Sequence, residues 1–189
     1  MEEVLREKVD PSLTVRNLSS LAGRALGKEV TASRAEILTG GCWNRVIKVF
    51  LEPEEKELVF KINPEKGNRG IEREFNVLQY FDEQTDLPVP SPYLIDSTGE
   101  YIPGTVLIMK KLPGTVMHQT YRFLAPSARE TISDEIGCYV RDLHKTKSRG
   151  FGGVELPEEK RYASWPDFWI PRFDKVFKEV EESGFIKED

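Results

Sequence analysis

Leu58-Val59-Phe60-Lys61-Ile62-Asn63 decides how the rest of this chain is read. Alternation puts Leu58, Phe60 and Ile62 on one face of a strand and Val59 and Lys61 on the other, so an ammonium stands among apolar neighbours. Two settings accommodate that charge. On an edge strand the long side chain reaches water. In a central, covered strand it needs an anion, a carboxylate or a phosphate or both, because an unpaired buried charge is costly.

A candidate carboxylate lies in the next element. Ile71, Phe75, Leu78 and Phe81 form the apolar stripe of a helix over about Ile71 to Phe81, and Glu74 stands inside that stripe while Glu72 and Arg73 fall off it. Taken alone, Glu74 also reads as a solvated residue at the margin. Lys61 has the same burial problem with the opposite sign, and a Lys61–Glu74 pair resolves both. Upstream, strand-like runs at Glu36 to Leu38 and Val46 to Leu51 flank Gly40-Gly41-Cys42-Trp43-Asn44. Small residues there let backbone amides approach phosphate oxygens, although paired glycines in a hairpin are also simply a tight turn, and no G-x-G-x-x-G is present. Asn44 can accept a positive φ or donate to a phosphate, and Val46 can cover one face of a purine.

Downstream, Pro88, Pro90 and Pro92 break the helix, and Tyr93 to Asp96 and Thr105 to Leu112 read as two more strands. The second runs apolar and then charged, through Met109-Lys110-Lys111-Leu112, into Pro113-Gly114. It reads as a connector with backbone free for a ligand, or as an ordinary strand end. Helical patterns occupy Ala128 to His144, with Ile132, Ile136, Tyr139, Val140 and Leu143 on one stripe, and Ser164 to Glu182. At the other end, Ser12 can cap a helix carrying Leu13, Leu18, Leu21, Ala22 and Ala25, with Gly27 closing it. The expected organisation is a helical segment over 1–34, a sheet lobe over 35–112, and a connector with helices over 113–189.

With 189 residues, 39% of them hydrophobic, the chain can bury one good core, or a small domain and the beginning of a second. The net charge of −5 comes from 27 basic and 32 acidic residues intermingled, which argues against a nucleic-acid or anionic-membrane partner. Cys42, Cys138, His118 and His144 have no metal-ligand spacing, so no metal site is expected, and separate thiols suit the cytoplasm. Met1 to Val9 is charged, and no stretch approaches the ~20 apolar residues that span a bilayer, so neither signal peptide nor anchor is expected. Asp142-Leu143-His144 reverses an H-x-D order, and Asp167-Phe168-Trp169 puts a tryptophan where D-F-G needs glycine.

From about Ala35 onward the chain resembles the aminoglycoside phosphotransferase family of small-molecule kinases, which includes choline, homoserine and fructosamine kinases. The likeness rests on Leu38 to Val46, Val59 to Ile62, Arg73 to Leu78, Leu107 to Gly114, Leu143-His144 and Gly150-Phe151-Gly152, in that order. It implies an α+β fold: a protein-kinase-like N-lobe, with a five-stranded antiparallel sheet and a C-type helix, preceded by a helix and followed by the first helices of a partial C-lobe. It also implies ATP with Mg²⁺. Lys61 would hold the α- and β-phosphates, Glu74 would pair with it, and the Gly40-Gly41 turn would lie over the triphosphate with Asn44 and Val46. Met109 would be the gatekeeper, and adenine would bond the main chain of Lys110 and Leu112.

The family's H-G-D-(L/F/I)-H-x-x-N loop and metal-binding aspartate appear nowhere in these residues. No catalytic residue is therefore assigned, the Mg²⁺ ligands are expected elsewhere, and the chain reads as the N-terminal portion of a kinase, inactive alone. The resemblance implies transfer of the γ-phosphoryl group to a hydroxyl or amine of a small molecule. The alternative is a non-catalytic nucleotide-binding or partner-docking module that keeps the kinase-like lobe, and a third reading keeps the fold with Lys61 and Glu74 as only a structural pair. In each case the apolar stripes of the last two helices are expected to self-associate.

Overall fold

The computed structural model of the chain describes residues 11–38, 43–53, 55–147, 149–153, 156 and 158–184. Helix α1 (Val15–Leu26) ends at Gly27, whose φ of 66° places it in the left-handed region where glycine closes a helix without a Cβ penalty. Its cap is Thr14, not Ser12: the Thr14 hydroxyl accepts the Asn17 N–H at 3.2 Å, whereas the Ser12 carbonyl accepts the Asn17 side-chain amide at 2.8 Å.

Strands β1 (Thr31–Leu38), β2 (Arg45–Glu52) and β3 (Lys56–Asn63) lead into helix α2 (Arg69–Gln84), followed by β4 (Pro92–Asp96) and β5 (Thr105–Lys110). They form one five-stranded antiparallel sheet in the order β1-β2-β3-β5-β4. β3 thus lies at the centre, and the edge-strand setting for Lys61 is not the one adopted. β1 is longer than its apolar run because residues back to Thr31 pair with β2, with Arg34 and Glu36 among them.

Period-two alternation divides the core between the two faces of the sheet. On one face Ile47, Val49, Leu51, Leu58, Phe60, Ile62, Val106 and Ile108 pack with Leu18, Leu21 and Ala22 of α1. The Arg24 guanidinium ties this helix to β4 at 3.1 Å from the Asp96 carboxylate, which is buried and also accepts from the Thr98 hydroxyl. On the other face Val59, Leu107 and Met109 meet Ile71 of α2, with Phe75 and Leu78 partly buried beside them.

The chain continues through helix α3 (Met117–Thr120) and a short 3-10 turn at Tyr121–Phe123 to α4 (Pro126–Lys145) and α5 (Trp165–Glu182). Pro126 opens α4. Ser164 caps α5, accepting the Asp167 N–H and donating its hydroxyl proton to the Asp167 carboxylate. Among the described residues none after Met109 is buried. Ile136, Tyr139, Val140 and Leu143 of α4, and Trp165, Ile170, Phe173, Val176 and Phe177 of α5, are all exposed. No helix among the described residues is long and apolar enough to cross a membrane.

Candidate functional site

Register places Lys61 in the middle of a row of side chains that crosses the sheet. Leu38 pairs with Val46, Val46 with Lys61, and Lys61 with Leu107, so all four point to the α2 face. Helix α2 lies over that face because Asn68 caps it, accepting the Ile71 N–H at 3.0 Å, and because its apolar stripe packs on Val59 and Leu107. One turn further along, Glu74 Oε2 lies 2.5 Å from Lys61 Nζ. The side chains are 22% and 35% exposed, so the contact is a charge-assisted hydrogen bond in a partly dry setting with one open side. An ammonium has three donors, and this one can take a second anion without losing its carboxylate.

The neighbouring row runs Glu36, Lys48, Val59 and Met109. Val59 and Met109 of this row join Leu38 and Val46 of the first in a single apolar cluster next to Lys61. Beyond it Lys48 bonds Glu36 at 2.9 Å, and that hydrogen bond holds the Glu36 carboxyl below its ordinary value and the Lys48 ammonium above its own.

At the end of β5 the Lys110 N–H is engaged by the Ser91 carbonyl at 2.9 Å. The Lys111 ammonium donates to the Leu112 carbonyl, and the Leu112 N–H has no partner among the described residues. Gly40 and Gly41 lie outside the described residues. Asn44 does not use the positive-φ option, since Glu55 is the one non-glycine residue with positive φ among those described. Its side-chain oxygen instead accepts from the Asn63 amide at 2.7 Å.

That contact belongs to a polar cluster that sequence reasoning missed. Asn63 Oδ1 accepts the Glu65 N–H at 2.9 Å, the buried Thr105 hydroxyl donates to the Glu65 carbonyl at 2.8 Å, and the same Thr105 oxygen accepts the Asn68 N–H at 3.0 Å. Gly104 makes the arrangement possible: a Cβ there would lie 2.0 Å from the Asn63 carbonyl oxygen. The only hint in sequence was that Asn63 shares strand parity with Lys61.

Two cavities among the described residues, of 490 Å³ and 420 Å³, share Tyr80, Thr146 and Lys147 in their walls, and neither reaches Lys61. No group of three or more His, Cys, Asp or Glu among the described residues could hold a metal ion.

Comparison with known proteins starts from this geometry. The family model described as the phosphotransferase enzyme family matches residues 34–180. Comparison with curated proteins gave no match. The crystal structure of aminoglycoside phosphotransferase APH(4)-Ia shares the fold at a TM-score of 0.57 and 14% identity, over 93% of this chain and 55% of that one. A thermostable mutant of the same enzyme, in a ternary complex with AMP-PNP and hygromycin B, superposes at 0.51 with 15% identity, over 89% of this chain and 57% of that one. The chain thus spans just over half the length of these structures and has their kinase-like α+β fold. With most of its length matched by the family model, the chain belongs to the phosphotransferase enzyme family.

Proposed function

We propose that the chain is the nucleotide-binding part of an ATP-dependent phosphotransferase that acts on a hydroxyl or amine of a small molecule. The observation that carries this reading is the Lys61–Glu74 pair on the central strand, open on one side and bordered by an apolar cluster. In it, residues 35–112 are the nucleotide lobe, 113–189 the connector and part of a second lobe, and 1–34 a helical support. Lys61 holds the α- and β-phosphates, Glu74 orients Lys61, and the Gly40-Gly41 turn with Asn44 covers the triphosphate. Leu38, Val46 and Val59 cover the purine, Met109 closes the back, and the Lys110 carbonyl with the Leu112 N–H meets the adenine edge.

The residues fit such a ligand: the partly exposed side chains of Leu38 and Val46 next to an ammonium suit a purine carrying phosphates. ATP supplies the γ-phosphoryl group. The chain's own groups bind and orient it and do not position an acceptor. Transfer also needs a group that places the acceptor hydroxyl and ligands that hold Mg²⁺, and these residues contain no H-x-D…N or D-F-G. The chain is therefore expected to bind nucleotide without transferring phosphate by itself. The AMP-PNP and hygromycin B held by the neighbouring structure support a nucleotide and a small molecule as partners. The cytoplasm is the proposed compartment.

One alternative is a non-catalytic nucleotide-binding or docking module with the same lobe. The exposed apolar stripes of α4 and α5 point to self-association in both readings. Calorimetric titration of Mg·ATP into the parent chain and a Lys61→Ala variant, both checked for folding, tests the proposal. We expect affinity to fall about ten- to a hundredfold in the variant, the worth of a hydrogen bond to a charged group. Equal affinity in both would remove Lys61 from the site.

A further inference from the structure

We propose that Asn63 is a positioning residue that aims the Asn44 side-chain NH₂ at the phosphates of a bound nucleotide. The inference rests on the nucleotide reading above and deepens it. It follows from a sequence of hydrogen bonds in which each donor settles the next. The Glu65 backbone N–H can only donate, so the atom of Asn63 that it meets at 2.9 Å is the oxygen. The nitrogen of Asn63 must then be the atom turned to Asn44, and the atom of Asn44 that lies 2.7 Å from it must accept. That assigns the Asn44 oxygen to Asn63 and leaves the Asn44 NH₂ with no partner among the described residues.

Position gives that free donor its use. Val46 and Lys61 are direct cross-strand partners on the α2 face. Asn63 lies two residues after Lys61 in β3 and falls on the same face as the ammonium, and its hydrogen bond holds the Asn44 side chain, just ahead of β2, against it. An NH₂ held by Asn63, two residues along the strand from a lysine, complements an anionic ligand and could not bind a cation.

The anchor behind Asn63 is stiff. Its partner pairs in register are Ile62 with Val106 and Asn63 with Thr105. The Thr105 hydroxyl is buried and bridges the Glu65 carbonyl and the Asn68 N–H. The Asn68 side chain also caps α2, the helix that carries Glu74, and donates to the Glu65 carboxylate at 2.6 Å. One polar cluster therefore sets both the amide of Asn44 and the start of the helix that orients Lys61.

The test is a double-mutant cycle read by calorimetry with two probes, ATP and adenosine, on the full chain. Asn63→Ser keeps an oxygen for the Glu65 N–H and is too short to reach Asn44. It should weaken ATP about fivefold, one hydrogen bond's worth, and leave adenosine affinity unchanged. In an Asn44→Ala background the same change should have no effect on ATP. A fivefold loss that persists without Asn44, or a loss shared equally by adenosine, would overturn the role. So would unchanged ATP binding in Asn63→Ser. A parent chain that binds neither probe would instead overturn the nucleotide reading, and this inference with it. Should the variant not fold, the side-chain amide NMR signals of Asn44 in the parent must move on addition of tripolyphosphate. Their constancy while Lys61 signals shift would overturn the proposal equally.

Discussion

The sheet with α1 and α2, and the helices beyond Gly114, are comparably rich in large apolar side chains and use them in opposite ways. In the first region Phe60, Leu107 and Ile108 are wholly buried. In the second, Phe173 and Phe177 are 54% and 61% exposed, and no described residue is buried. The difference teaches where stability and the candidate site reside. A strand has both faces covered once a helix lies on each, so alternation alone closes a core. An amphipathic helix has to find a second helix or sheet, and α4 and α5 present stripes that stay largely exposed, with Phe151 and Tyr162 meeting only the first turn of α5.

Substitutions can break this contrast or sharpen it. The largest effect belongs to Phe60→Ala, which empties a central position and should cost about 3–5 kcal/mol in denaturant unfolding. A Phe177→Ala change should stay within about 0.5 kcal/mol. Equal losses in the two variants would erase the distinction between the regions. Gly104→Ala comes next: its φ of 101° and a Cβ that would lie 2.0 Å from the Asn63 carbonyl predict a loss of about 2–4 kcal/mol by thermal or chemical melts. A neutral result would mean that β5 is free to move away from Asn63.

The helical region is probed better by association than by melting. Replacing Phe173 and Phe177 with serine should lower the weight-average mass in concentration-dependent sedimentation and leave the melting curve nearly unchanged. A parent that stays monomeric at all concentrations would contradict the proposed association. The smallest effect is electrostatic. Lys48 holds the Glu36 carboxyl below its ordinary value. Its contribution is therefore present above the unfolded pKa and lost as pH falls through the lower folded value. Glu36→Gln should slightly flatten the stability–pH curve between those two values, lower it slightly at neutral pH and leave it unchanged at the acid end.

What the sequence made legible follows the same division. Lys61 and Glu74 were recognisable because each breaks a simple period, two for the strand and 3.6 for the helix, and both breaks have to be resolved by burial or pairing. The five strand-like runs followed from alternation and turns, and the α+β class from the family resemblance. The Asn44–Asn63 contact was not legible, because a cross-strand pair depends on register, and one residue of slip would turn both side chains to the other face. Gly104 was equally hidden, since its need for glycine arises from the Asn63 backbone across the sheet. The α1 stripe could be read, but its docking on β4 through Arg24 and Asp96 could not, as nothing local links the two residues.

Hydrogen exchange of the chain with and without Mg·ATP tests the central claim most directly, because it reads both regions in one experiment. The account predicts added protection in β1, β2, β3, α2 and the connector after β5, with α4 and α5 unchanged at a protein concentration where association is constant. Protection confined to α4 and α5, with the Lys61 strand and the Glu74 helix unaffected, would contradict it.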